Sequence, residues 1–176
     1  KSYLINKKIL ENIVSEIKTL VSNKKEVLIV SSGALALGKK QLKTKKVIKI
    51  SEKQAAAAVG QVLLVNAWRE AFYKCKINCA QILLTHLDAE IRSSSLNARN
   101  TIESLIKFKT IPIINENDTV ATKELRYGDN DQLAARVAQI TSSDLLILLS
   151  DVDGLFSSNP SKNKNAKLLK RVFKIT

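Results

Sequence analysis

Three short polar clusters hold most of the residues in this chain that could do chemistry. The first, Ser31-Ser32-Gly33-Ala34, follows the apolar run Val27-Leu28-Ile29-Val30. Its glycine lets backbone approach a ligand closely, and a helix starting there would aim free N–H groups at an anion. The second follows another apolar run and gathers Asn115-Glu116-Asn117-Asp118 with Tyr127-Gly128-Asp129-Asn130-Asp131. Acidic and amide groups crowded behind a buried segment are costly unless they are solvated or bound. Capping of the next helix accounts for one of Asp129, Asn130 and Asp131, but not for the set. An ammonium group, a magnesium–phosphate complex or both would suit such a cluster. The third, Ser150-Asp151-Val152-Asp153-Gly154, fits a nucleotide or metal pocket and fits a plain β-turn as well. The sequence contains no Walker A motif, no kinase-type glycine-rich loop and no G-x-G-x-x-G. Any nucleotide must therefore be held by another scheme.

Positioning these clusters calls for alternating strands and helices. Leu10, Ile13, Val14, Ile17, Leu20 and Val21 recur at helical spacing, which predicts an amphipathic helix over about 6–23. The run 27–30 reads as a strand buried on both faces. Ser51 with Gln54 makes a capping-box signature that would open an Ala-rich helix running to about Tyr73. Strands are predicted at 79–84, 111–114 and 145–149, and helices at about 95–108 and 131–140. The pattern is that of an α/β domain: a largely parallel sheet flanked by helices. In such sheets ligands gather beyond the C-terminal ends of the strands, where all three clusters fall.

The chain has 176 residues and a formal charge of +13, enough length for one domain with a proper core. Residues 1–53 carry 13 basic and 4 acidic side chains, and 161–176 carry 6 basic and none acidic. Lys dominates over Arg, and no aromatic residue interrupts Lys39-Lys40-Gln41-Leu42-Lys43-Thr44-Lys45-Lys46. Base-reading and single-strand-binding surfaces favour Arg and aromatics, so a solvated lysine face is the expectation and nucleic acid is not an expected partner. No apolar run approaches the roughly 18 residues of a membrane span, and the first residues lack the core of a signal peptide, so a cytoplasmic protein is expected. The chain has no Met, which leads us to expect a processed start or a piece of a longer protein.

Taken in order, 30–34 (VSSGA), 58–61 (AVGQ), 81–85 (QILLT), 96–101 (LNARNT), 114–118 (INEND), 128–131 (GDND) and 150–155 (SDVDGL) resemble the amino acid kinase family. The pairing of INEND with GDND is similar to its glutamate-phosphorylating branch rather than to those acting on aspartate, acetylglutamate or uridylate. The resemblance implies transfer of the ATP γ-phosphate to the γ-carboxylate of L-glutamate, with ATP and Mg2+ as cofactors and a homo-oligomeric assembly. By motif, Ser32 and Gly33 would contact the glutamate carboxylate near the transferred phosphate. Asp118 and Asn130 would hold the glutamate, with Asp118 suited to its ammonium. Asp131 would be catalytic, orienting lysines, and Ser150 with Asp151 would line the nucleotide side.

The family's first strand carries a K-x-G-S-type motif, and a second lysine lies within a later glycine-rich stretch. Neither has a counterpart here, so the expectation is a partial amino acid kinase domain over 1–176, lacking its first strand and C-terminal part and inactive alone. The alternative is a non-catalytic binding module whose lysine-rich ends take RNA or an acidic partner.

Cys75, Cys79 and His86 are too few for a structural zinc site, which wants four ligands. Replacing both cysteines by Ala or Ser is expected to leave the activity of the full-length parent within a few-fold. Zinc recovered stoichiometrically from chelator-washed protein is the result that would overturn this.

Overall fold

The computed structural model describes residues 5–44, 49–121, 130–150 and 153–172. Clustering of contacts divides the chain into two compact units, Lys1–Leu145 and Leu146–Thr176.

The first unit runs α1 (Lys7–Ser22), β1 (Ile29–Val30), α2 (Ala34–Gln41), α3 (Ile50–Lys74), β2 (Asn78–Leu84), α4 (His86–Glu90), α5 (Arg92–Lys107), β3 (Thr110–Glu116) and α6 (Asn130–Thr141). Its sheet has the order β1-β3-β2, with both pairings parallel. β3 is the central strand, and six of its seven residues are buried. Continuous Ile and Pro over 111–114 suits that place, because both faces of the strand are covered.

The period-two alternation of β3 divides the core. Ile111 and Ile113 pack with Val14, Ile17, Leu64, Trp68 and Phe72 of α1 and α3. Ile114 points to the other face, with Ile102 of α5 and Leu133 and Val137 of α6. The result is a parallel sheet with helices on both faces, as the strand–helix alternation implied. Phe72, Ile102, Ile113 and Leu133 are all under 2% exposed, and burying each contributes about 1.5–3 kcal/mol.

Several boundaries have local causes. Asn6 Oδ1 accepts from the Ile9 N–H and caps α1. α4 is a short helix that periodicity did not signal; Thr85 Oγ1 accepts from Asp88 N–H, and Asp88 Oδ2 accepts from Thr85 N–H. α3 starts earlier than its expected capping box. Its reciprocal acceptor is Glu52, bonded to the Lys49 N–H at 3.1 Å, while Gln54 turns to a distant partner. Of the strand expected at 27–30, only Ile29 and Val30 pair with β3.

The strand expected at 145–149 does not form. These residues join no ladder, and their exposure runs from 41% at Leu146 to 76% at Leu149. An apolar run supplies strand propensity, but a parallel strand exists only beside an edge that takes its hydrogen bonds. None does so among the described residues. Within the second unit, Phe156 bridges Leu168 in antiparallel fashion, flanked by bonds from Ser157 N–H to Lys167 O and from Leu169 N–H to Leu155 O. Among the described residues no helix is long and apolar enough to cross a membrane.

α2 and α3 meet through glycine. A Cβ on Gly38 would overlap the Ala56 carbonyl oxygen, and one on Gly60 would overlap the Ala34 carbonyl oxygen. Both positions are buried. Overpacking a core commonly costs 1–3 kcal/mol, and here the obstacle is backbone that cannot rotate away. Gly60→Ala is therefore expected to lower stability by about 3 kcal/mol or more, read as a shift in the urea midpoint. A midpoint within error of the native chain would show that the crossing has slack.

Candidate active site

The ends of β1 and β3 and the start of α6 converge on one another. Ser31 extends the β1 ladder by donating its N–H to Ile114 O at 2.8 Å. Asn115, next on the central strand, is 3% exposed. Asn130 opens α6, and its Nδ2 donates to Ser31 O at 2.5 Å and to Asn115 Oδ1 at 2.9 Å. One amide thus ties three elements, its partners lying 99 and 15 residues away in sequence. Asn115 Nδ2 donates in turn to Gln61 Oε1 of α3 at 2.6 Å. On the other side Trp68 Nε1 donates to Ser31 Oγ at 2.9 Å. Among the described residues no buried side-chain nitrogen or oxygen lacks a hydrogen-bond partner. This part-buried network stiffens the site, because each of its bonds left unmade would cost about 1–3 kcal/mol.

Of the predicted residues, Ser32, Gly33 and Asp131 adjoin this knot along the chain. Ser32 and Gly33 lie exposed immediately after Ser31. Gly33 has φ +107°, a left-handed conformation that glycine adopts without strain, and it caps α2 with no side-chain bond to the first turn. The helix N–H groups behind it keep their capacity to bind an anion. Asp131 is exposed in the first turn of α6, one residue beyond Asn130. Asp118 follows β3 in a turn closed by Asn117: Val120 and Ala121 N–H both donate to Asn117 O, and Thr119 Oγ1 donates to Asn117 Oδ1. The Asn117 N–H donates to Leu84 O, so the same turn is anchored to the end of β2. Ser150 is exposed and belongs to the second unit, while Asp151, Gly128 and Asp129 lie outside the described residues.

Sequence reasoning singled out Asn130 and missed its partners. Ser31, Gln61 and Asn115 stood inside quoted motifs without a role, and Trp68 passed as an ordinary residue of a long helix. Spacing along the chain carried no sign that an amide at 130 reaches a carbonyl at 31.

Among the described residues no three His, Cys, Asp or Glu side chains come together as a metal site. The arrangement offers an anion-binding turn at Gly33, a half-buried carboxylate at Asp118 and a set of fixed amides. That combination can orient a small zwitterion and present one end of it to a second reactant.

The amino acid kinase family model matches residues 2–173, and the chain belongs to that family. It is 52% identical over 169 residues to glutamate 5-kinase of Pelagibacter ubique, covering 96% of this chain and 46% of that protein. It is also 52% identical over 172 residues to glutamate 5-kinase of Caulobacter vibrioides, covering 97% of this chain and 46% of that protein. The chain therefore spans just under half the length of these relatives. In fold it is similar to isopentenyl phosphate kinase of T. acidophilum, with TM-score 0.61, 17% identity and coverage of 93% of this chain and 69% of that one. UMP kinase of Bacillus anthracis gives TM-score 0.53 at 20% identity, over 93% of this chain and 64% of that one.

Burial pushes the Asp118 carboxyl above its ordinary value of 3.8. The folded chain then binds that proton more tightly than the unfolded chain. Asp118 accordingly costs stability as pH rises from 3.8 through its raised folded value. Asp118→Asn is expected to remove the cost, so its stability advantage over the native chain should grow with pH across that window. Urea unfolding at stepped pH checks this, and a difference independent of pH would contradict it.

Proposed function

We propose that this chain forms the glutamate-binding part of a phosphotransferase that moves the ATP γ-phosphate onto the γ-carboxylate of L-glutamate. The product would be γ-glutamyl phosphate, which opens proline synthesis. The observation that carries the reading is the Asn130 amide, which joins the Ser31–Gly33 turn to the end of β3, two segments from separate quoted motifs. Relatives that are glutamate 5-kinases give the reading its substrate.

Each residue then has a physical task. Asp118 is half-buried and raised in pKa by burial, and the substrate ammonium would stabilise its charged form. Asn130 spends its Nδ2 on Ser31 and Asn115, so it recognises the substrate through Oδ1, an acceptor suited to the same ammonium. Ser32 and the N–H groups at Gly33 take the γ-carboxylate and the oxygens of the phosphoryl group arriving on it. The nucleophile is already ionised, so the site needs no general base. Phosphoryl transfer asks it for positioning and for neutralisation of charge. Asp131 orients cationic groups at the transferring phosphoryl, and Ser150 and Asp151 line the nucleotide side. Mg2+ comes with ATP as part of the substrate, and the working assembly is a homo-oligomer. Both units belong in this proposal to a single amino acid kinase domain.

None of the motifs that carry the family resemblance contains a lysine. Their one cation, Arg99, is paired with Glu103, so charge on the phosphoryl group is left to cations outside them, and one missing transition-state donor costs about 10²–10³ in rate. The 176-residue chain is therefore expected to bind glutamate yet form no measurable γ-glutamyl phosphate. A longer chain matching the relatives' full length is expected to turn over. Calorimetry with glutamate and a hydroxamate assay on both chains test this. Asp118→Ala should weaken glutamate binding by roughly 30-fold or more, the loss of a partly buried charge partner, and leave MgATP binding unchanged. Native glutamate affinity in that variant would remove Asp118 from the site, and rapid turnover by the 176-residue chain would show that its own cations suffice.

A further inference from the structure

Helix α3 carries Gln54, Gln61 and Trp68 at seven-residue intervals. Seven residues advance an α-helix by about two turns, with a drift of roughly 20° per interval, so all three lie on nearly one face. Each bonds a different segment of the candidate site. Gln54 Nε2 donates to Ala121 O at 3.1 Å, at the end of the turn that holds Asp118. Gln61 Oε1 accepts from Asn115 Nδ2 at 2.6 Å, and Trp68 Nε1 donates to Ser31 Oγ at 2.9 Å. The partners are 67, 54 and 37 residues away, so none of these bonds serves the local structure of α3. The rest of the buried face is apolar or glycine, including Ala57, Gly60, Leu64 and Ala71.

Packing alone does not call for these side chains. Trp68 is buried, and its ring stacks on Phe72 with centroids 6.0 Å apart, a contact that a phenylalanine would also make. What the indole adds is a donor for Ser31. That residue is already held through its N–H by Ile114 and through its carbonyl by Asn130, and it stands next to Ser32 and Gly33. A third tether removes the rotational freedom that two leave.

We propose that Gln54, Gln61 and Trp68 are positioning residues, one stripe of α3 that holds the Ser31 turn, Asn115 and the Asp118 turn in register around a common ligand. The ligand's identity rests on the functional reading above; the positioning itself does not.

Hydrogen exchange by mass spectrometry on the 176-residue chain tests the positioning directly. In Trp68→Phe, amides of residues 31–35 should exchange at least about tenfold faster, while those of β2 and α5 keep native rates. In Gln61→Met the change should move to residues 113–117. Ser31→Ala combined with Trp68→Phe should be no worse than either single variant, because both remove the same bond. Calorimetry should show glutamate binding weakened about tenfold in Trp68→Phe, the order of one lost hydrogen bond, with MgATP binding unchanged. Native exchange at 31–35 and 113–117, or faster exchange spread evenly over the chain, would overturn the proposal. A native chain that fails to bind glutamate overturns the functional reading, and the exchange rates then decide the positioning by themselves.

Discussion

Where α2 crosses α3, Gly38 lies against the Ala56 carbonyl and Gly60 against the Ala34 carbonyl, and neither position has room for a Cβ. This contact sets how near α3 comes to the start of α2, and much of the site's geometry follows from that distance. Gln61 adjoins Gly60, and Ala34 adjoins Gly33, so the closeness of the two backbones is passed straight to the Ser31–Gly33 turn and to the amide network. A side chain at either glycine would push the helices apart. The hydrogen bonds from α3 to Asn115 and Ser31 have no slack to absorb that.

The central strand does the rest. β3 is covered on both faces and paired on both edges, which makes its C-terminal end a fixed point. Polar residues placed there pay a desolvation cost, and the structure offsets it by bonding them to one another rather than to water. Asn115 and Asn130 are satisfied from three different elements. Burial raises the pKa of Asp118, and among the described residues no ion pair is seen at its carboxylate. Amides that are already bonded hold the frame, and a carboxylate raised in pKa by burial is what a bound cation would relieve.

Surface ion pairs contribute little to this architecture. Lys7–Glu70 and Lys74–Glu11 link α1 to α3, and Lys74 holds the Glu11 carboxyl below its ordinary value, but all four side chains are well exposed. Solvent and salt screen such pairs. The layers are joined by the apolar contacts of Val14, Ile17 and Phe72 on one face of β3 and of Ile102 and Leu133 on the other.

Much of this was legible in the residues alone. Periodicity placed α1, α3, α5 and α6 to within a few residues, since a buried stripe at helical spacing leaves a local record. The apolar runs at 79–84 and 111–114 marked their strands for the same reason, and the motif order pointed to the family. Chain order could not decide what depends on partners. The run 145–149 is as apolar as β3, yet it lies exposed and joins no ladder among the described residues, because a strand is a property of a pair and propensity belongs to one member. Gln54 looked like half of a capping box and instead bonds Ala121, because a side chain takes whichever acceptor the fold brings near. Ser31 and Gln61 stood in quoted motifs with no role attached, and Trp68 carried no local signal. Residue types and their spacing set the layers and named the candidate carboxylates and amides. Only the close approach of α2 and α3 and the parallel stacking of β1 on β3 decided which of them meet, because contacts between residues 37 to 99 positions apart are made by packing and leave no period in the sequence.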